Sequence, residues 1–235
     1  MAGRKGWKKS IPSGRDSFYR RRAGKTPARA ILIIAEGEVT EPVYFEALRD
    51  NLALQTIEIV VHGAGKGDPK RLAEEALEAR KKRKRDARNG DLPFSKAMDF
   101  DELWIVFDTE APERQGRYHD GVAFAKSNNV QTAGSTPCFE YWLLLHRRYT
   151  TAPMAEFSDV KKHLKNVLGG KYAKNRQEAL ELIPPLLQDV DSAVARAEKA
   201  RKYHLEAGTP DPANPSTDVD RLINSIRKGA SPANK

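Results

Sequence analysis

The sequence predicts an α/β protein: a mainly parallel sheet flanked by helices, with a C-terminal helical extension. Three observations lead to it. Four short apolar runs, at 30–34, 57–61, 103–107 and 130–133, have the length and the β-branched or aromatic content of strands. Helical patterns at 42–52, 69–88 and 116–126 separate them. Strand alternating with helix lets each crossover return the chain to the same sheet edge, so that neighbouring strands run parallel.

The first run, Ala30-Ile31-Leu32-Ile33-Ile34, is continuously apolar, the pattern of a strand covered on both faces. Glu36 and Gly37 follow it, and Gly37 allows a tight turn. Thr40 is placed to cap the next helix and Pro42 suits its first position. The second run, Ile57 to Val61, is β-branched. The third, Leu103-Trp104-Ile105-Val106-Phe107, is the strongest strand, and Val130 to Ala133 is a weaker fourth. In the 69–88 helix a narrow apolar stripe (Leu72, Ala73, Ala76, Leu77) gives way to Arg80-Lys81-Lys82-Arg83-Lys84-Arg85. These bases either grip phosphates or are a solvated complement to the helix dipole. Residues 89–101 read as a loop. Ser135-Thr136-Pro137 is an N-terminal signal for a helix over 138–147. From about 148 the chain is helical and Pro-punctuated, and Pro215-Ser216-Thr217-Asp218 caps a helix over 219–228. The division expected is a basic arm at 1–29, an α/β core at 30–147 and a C-terminal helical region at 148–235.

The length of 235 residues and 39% hydrophobic content are enough for a sizeable core. A single cysteine, Cys138, excludes an intramolecular disulfide framework and a Cys-rich zinc site. No apolar run approaches the roughly 20 residues of a membrane span, and the basic N-terminus lacks the apolar segment of a secretory signal. The expectation is a cytoplasmic protein with no membrane segment.

The net charge of +9 is local. Residues 1–29 hold ten bases, among them Lys8, Lys9, Arg20, Arg21 and Arg22, against the single acid Asp16; the remainder has thirty-one bases and thirty-one acids. A basic arm on a neutral body reads as a contact for a polyanion, nucleic acid above all, the bland reading being a solubilising tail.

In an open parallel sheet, ligands collect at the carboxyl ends of the strands. The acids fall there. Glu36 follows strand one with Glu41 close behind, and Asp108 and Glu110 follow strand three as Asp-Thr-Glu. Carboxylates from adjacent strand ends repel unless a cation lies between them, and magnesium or manganese suits oxygen ligands. The bland readings are a helix N-terminal charge for Glu36 and a hydrophilic turn for the other two. The five histidines are scattered and show no zinc spacing. Gly63-Ala64-Gly65-Lys66-Gly67 lacks the Walker pattern, which leaves a backbone anion nest as its functional reading. Cys138, beside Phe139 and Trp142, reads as a small buried thiol before it reads as a nucleophile.

Five blocks together resemble the RloB family: Ile33 to Phe45, Trp104 to Glu110, Ser135 to His146, Lys171 to Lys174 and Asn214 to Val219. That family is similar to the Toprim domains of topoisomerases, primases and OLD-type nucleases. It is found with an ATPase partner, RloA, near restriction and phage-defence loci. The resemblance implies a Toprim-like fold and a nuclease, a magnesium-dependent hydrolase acting in antiviral defence or abortive infection. It implies Glu36 as the first-strand glutamate and Asp108 as the first acid of an Asp-x-Asp pair. Glu110 departs from that pattern by one methylene, which puts the geometry of the pair in question. Glu36, Asp108 and Glu110 would hold metal; Glu41 and Glu140 would complete a second site or accept a proton; Lys171 or Lys174 would supply a cation. The rivals are a non-catalytic nucleic-acid or nucleotide-binding module and a subunit that docks on the ATPase through its C-terminal helices. The choice of DNA or RNA and the oligomeric state, homo-oligomer included, stay open.

Overall fold

The computed structural model describes residues 29–51, 57–64, 68–93, 96–109, 115–170, 172 and 174–228. Its elements are β1 (Arg29–Ala35), α1 (Thr40–Asn51), β2 (Ile57–Gly63), α2 (Pro69–Asn89), β3 (Glu102–Asp108), α3 (Gln115–Ser127) and β4 (Val130–Thr136). After these come α4 (Glu140–Leu145), α5 (Phe157–Val167), α6 (Arg176–Leu186), α7 (Val190–Glu206), β5 (Ser216–Thr217) and α8 (Val219–Lys228). The sheet order is β2-β1-β3-β4-β5. The first four strands are parallel, as expected, and β5 pairs antiparallel with the end of β4.

Alternation along the strands divides the core in two. Ile31, Ile33, Trp104, Val106 and Ala133 face α1 and the C-terminal helices. Ala30, Leu32, Ile34, Leu103, Ile105, Phe107 and Val130 face α2 and α3. Both faces of β1 are therefore covered, which is why its sequence is apolar without alternation. Asp68 caps α2 by accepting the Arg71 N–H at 3.0 Å, Pro69 opens the helix, and Gly90 closes it at φ 76°.

The structure departs from expectation at three points. Thr40 begins α1 itself, two residues before Pro42, and is buried. Ser135 and Thr136 do not signal a helix start: they end β4 and pair with β5, and the Ser135 hydroxyl meets that of Thr217 at 2.8 Å. The helix starts only at Glu140 and has six residues, all buried, because the polar 135–136 pair is spent on a strand that a two-residue run at 216–217 completes. Arg29, counted in the basic arm, belongs to β1, where its guanidinium binds Glu102 and the Ser225 carbonyl and hydroxyl. No helix among the described residues is long and apolar enough to cross a membrane.

Candidate active site

β1 and β3 lie side by side in parallel, Ala35 opposite Val106, so they release the chain at the same edge. The ladder runs one residue further: the Glu36 N–H donates to the Val106 carbonyl at 2.8 Å. The Glu36 side chain turns back across the strand ends, its Oε2 accepting the Asp108 N–H at 3.1 Å. Asp108 in turn accepts the Phe139 N–H at Oδ1, at 2.8 Å, which fixes the entry to α4. The two sequence-predicted acids are thus locked by backbone donors in neighbouring segments.

Glu41 and Glu140 join them from the first turns of α1 and α4. Glu41 is 2% exposed and Glu140 fully buried, and Oε2 of each has no hydrogen-bond partner among the described residues. Glu140 Oε1 accepts the Tyr172 hydroxyl at 2.8 Å and lies 3.3 Å from Lys174 Nζ. Gly37 is glycine for lack of room: a Cβ there would stand 2.6 Å from Glu41 Cδ and overlap both carboxylate oxygens. Gly63, at the end of β2, is tight for the same reason, its absent Cβ leaving space for the Gly37 carbonyl and the Glu38 backbone.

Crowding sets the protonation. Burial, then the charge of Glu140, pushes the Glu41 carboxyl up to about 7. Burial, then Glu41 and Glu140, raises Asp108 well above the usual carboxylate range. Burial pulls the Lys174 ammonium down, but attraction by Glu140, Asp108 and Glu41 outweighs it and leaves the lysine firmly charged.

An aromatic layer supports the acids from below. Tyr44 meets Phe45, Phe139, Trp142 and His146 edge-on, with ring centres 5.4 to 6.1 Å apart. His146 Nδ1 faces the Trp142 carbonyl at 3.0 Å and so carries the proton, leaving Nε2 to accept the Tyr44 hydroxyl at 3.1 Å. Burial lowers this imidazole to about 4, and it is neutral and structural. Cys138 is buried.

The structure therefore brings together Glu36, Glu41, Asp108, Glu140 and Lys174. Glu110, Lys171, the 65–67 part of the glycine-rich turn, and Lys8, Lys9, Arg20, Arg21 and Arg22 lie outside the described residues. Sequence reasoning passed over Tyr172 as a ligand of Glu140, although it stands within the Lys171–Lys174 block. The tyrosine comes from the turn between α5 and α6, and nothing local marks which acid it will reach.

Fold and site define an α/β protein with a parallel sheet whose carboxyl edge carries a carboxylate cluster. The chain belongs to the RloB family, described as RloB-like protein, whose model matches residues 31–226. No curated protein and no solved structure matches it.

Proposed function

We propose that the chain is a metal-dependent nuclease of Toprim type, hydrolysing phosphodiesters in DNA or RNA, and that it acts in bacterial anti-phage defence beside an RloA-type ATPase. The observation that carries the reading is the convergence of four acids from separate segments at one sheet edge, two of them with a buried oxygen that has no partner among the described residues. Packing alone gives no reason to bury mutually repelling carboxylates, and a hard cation would relieve the repulsion.

The donor set fits such a cation. It is all oxygen, which suits magnesium or manganese. Among the described residues no three His, Cys, Asp or Glu side chains stand close enough to chelate one ion. Magnesium keeps most of its water and takes one or two carboxylates directly. Glu36 and Asp108 would hold it, with Glu110 as the family resemblance implies. When bound, the ion would acidify a coordinated water and polarise a phosphoryl oxygen.

The chain's own groups then have distinct tasks. Glu41, titrating near neutrality, is suited to accept a proton from the attacking water. The Asp108 N–H orients the Glu36 carboxylate, and the Phe139 N–H orients that of Asp108. Lys174 would offset charge on the phosphate, and Tyr172 holds Glu140 in place. One feature favours the second reading, a binding subunit without cleavage: Lys174 is already engaged by Glu140.

The test is incubation of purified protein with labelled duplex DNA, single-stranded DNA and tRNA, with magnesium, manganese or EDTA. Metal-dependent cleavage is expected, reduced about a hundredfold or more in Glu36→Gln and Asp108→Asn, with nucleic-acid binding nearly intact. Full cleavage by both variants would overturn the assignment of these acids. Binding without cleavage, even after the ATPase is added, would favour the binding subunit.

A further inference from the structure

We propose that the exposed face of the last two turns of α2, formed by Lys81, Lys82, Arg85 and Arg88, docks the phosphate backbone of a nucleic-acid polymer at the sheet edge opposite the carboxylates. The inference rests on the nuclease reading for its polymer and adds where that polymer is held.

Tertiary structure sorts the six-base run into two sets. Arg80 and Lys84 bind Asp99, at 2.8 and 3.0 Å. Arg83 is buried, paired with Glu58 at 2.6 Å and lying 4.2 Å over the Phe100 ring. These three fasten the helix to the segment leading into β3. Lys81 and Arg85 are 72% and 68% exposed, and Lys82 and Arg88 are exposed with them. Positions 81, 85 and 88 follow helical spacing and share one face, with 82 beside it. Every exposed titratable residue from 81 to 89 is a base. Lys81 meets Glu78 at 2.7 Å and Arg85 meets Asp86 at 4.0 Å, both solvent-facing pairs that a phosphate can compete with. Complementing the helix dipole needs only the last turn, where Arg88 sits, and leaves the other three bases unexplained.

A second observation concerns where β1 is joined to the basic sequence before it. β1 starts here: the Ala30 N–H donates to the Asp101 carboxylate and the Ala30 carbonyl accepts the Asp101 N–H, two residues beyond the Asp99 that holds Arg80. The sequence covalently joined to Arg29, residues 1–28, has nine bases and one acid. A nucleic acid fits better than an anionic membrane, because a membrane-bound helix needs an apolar face and that of α2 (Leu72, Ala73, Ala76) is buried against the sheet. The four long strands have seven residues each, so roughly 20 Å separates the two edges. A ligand touching both must be a polymer of roughly six base pairs or more, which a mononucleotide cannot be.

The test is fluorescence anisotropy of a labelled 30-base-pair duplex and of a tRNA on the full chain, in EDTA so that cleavage plays no part, across a salt series. The patch variant is Lys82→Glu, Arg85→Glu, Arg88→Glu, with a milder Gln series in case reversal disturbs the fold. Its control carries the same charge change on other exposed bases, Arg148→Glu, Lys199→Glu, Lys202→Glu. The patch variants should bind about tenfold or more weakly, and their dependence of log affinity on log salt should be shallower by about 2 to 3. Loss equal to the control's, unchanged binding, no binding by the parent chain, or patch-dependent binding to phosphatidylserine vesicles in place of nucleic acid would each overturn the proposal. Because affinity is read without metal, a chain that never cleaves can still pass, and one that cleaves can still fail.

Discussion

A methyl group at position 37 would occupy the space of the Glu41 carboxylate. Gly37→Ala should therefore displace that carboxylate while leaving the exposed surface alone; the expected result is a loss of cleavage of about tenfold or more with nucleic-acid affinity within twofold, read by single-turnover assay beside anisotropy. Glu41 also sets a pH dependence. Its carboxyl is held up to about 7 when folded, against an ordinary 4.5, so between those values the folded chain keeps a proton that the unfolded chain has released. The stability this group contributes is full below pH 4.5 and is lost as pH rises through 7. Glu41→Gln removes the loss, so in EDTA the variant should gain in Tm over the parent as pH goes from 5 to 8, by the equivalent of up to about 3 kcal/mol. His146, lowered to about 4, titrates in the opposite sense but is common to both chains and cancels in the comparison. A Tm difference that stays flat over this range would contradict the raised Glu41 carboxyl.

At the scale of elements, the end of α2 is held by one buried ion pair. Glu58, 7% exposed, accepts two hydrogen bonds from Arg83, at 3.2 and 2.6 Å, and one from the Ala97 N–H at 3.2 Å. Burial pushes its carboxyl up, but Arg83 and Lys96 outweigh that and hold it below the usual range. Arg83→Met leaves the carboxylate buried with Lys96 and the Ala97 N–H as its remaining partners, and chemical denaturation should show a loss of about 3 kcal/mol. Glu58→Gln added to Arg83→Met should recover part of that loss, since no unpaired charge then remains. The sequence shows Arg83 as one of six like residues in a row; only the fold reveals that this one faces inward.

For the whole molecule, a bound cation links site to stability. A divalent ion held by the folded chain alone adds about 2.7 kcal/mol at a hundred times its dissociation constant, which for a chain of this length raises Tm by roughly 5 to 10 °C. Magnesium or manganese should produce such a shift in the full chain, larger at pH 8 than at pH 6 because protons on Glu41 and Asp108 compete with it, and Glu36→Gln should lose most of it. Differential scanning fluorimetry reads this directly, and an equal shift in parent and variant would remove Glu36 from the cation's neighbours.

Elements whose signal is local are legible in the sequence. The four parallel strands and the helices between them follow from apolar runs and helical spacing, each read within a dozen or so residues. It also placed Glu36 and Asp108 at strand ends, because a carboxylate after a buried strand has one edge at which to emerge. Tertiary structure alone decided what depends on distant partners: β5, two residues whose pairing with β4 spans 82 positions between Ser135 and Thr217; the contact of Tyr172 and Lys174 with Glu140; and the division of the basic run into three anchored side chains and an exposed face. A periodic pattern records which face of an element is buried, but not which group of a remote segment will be buried against it.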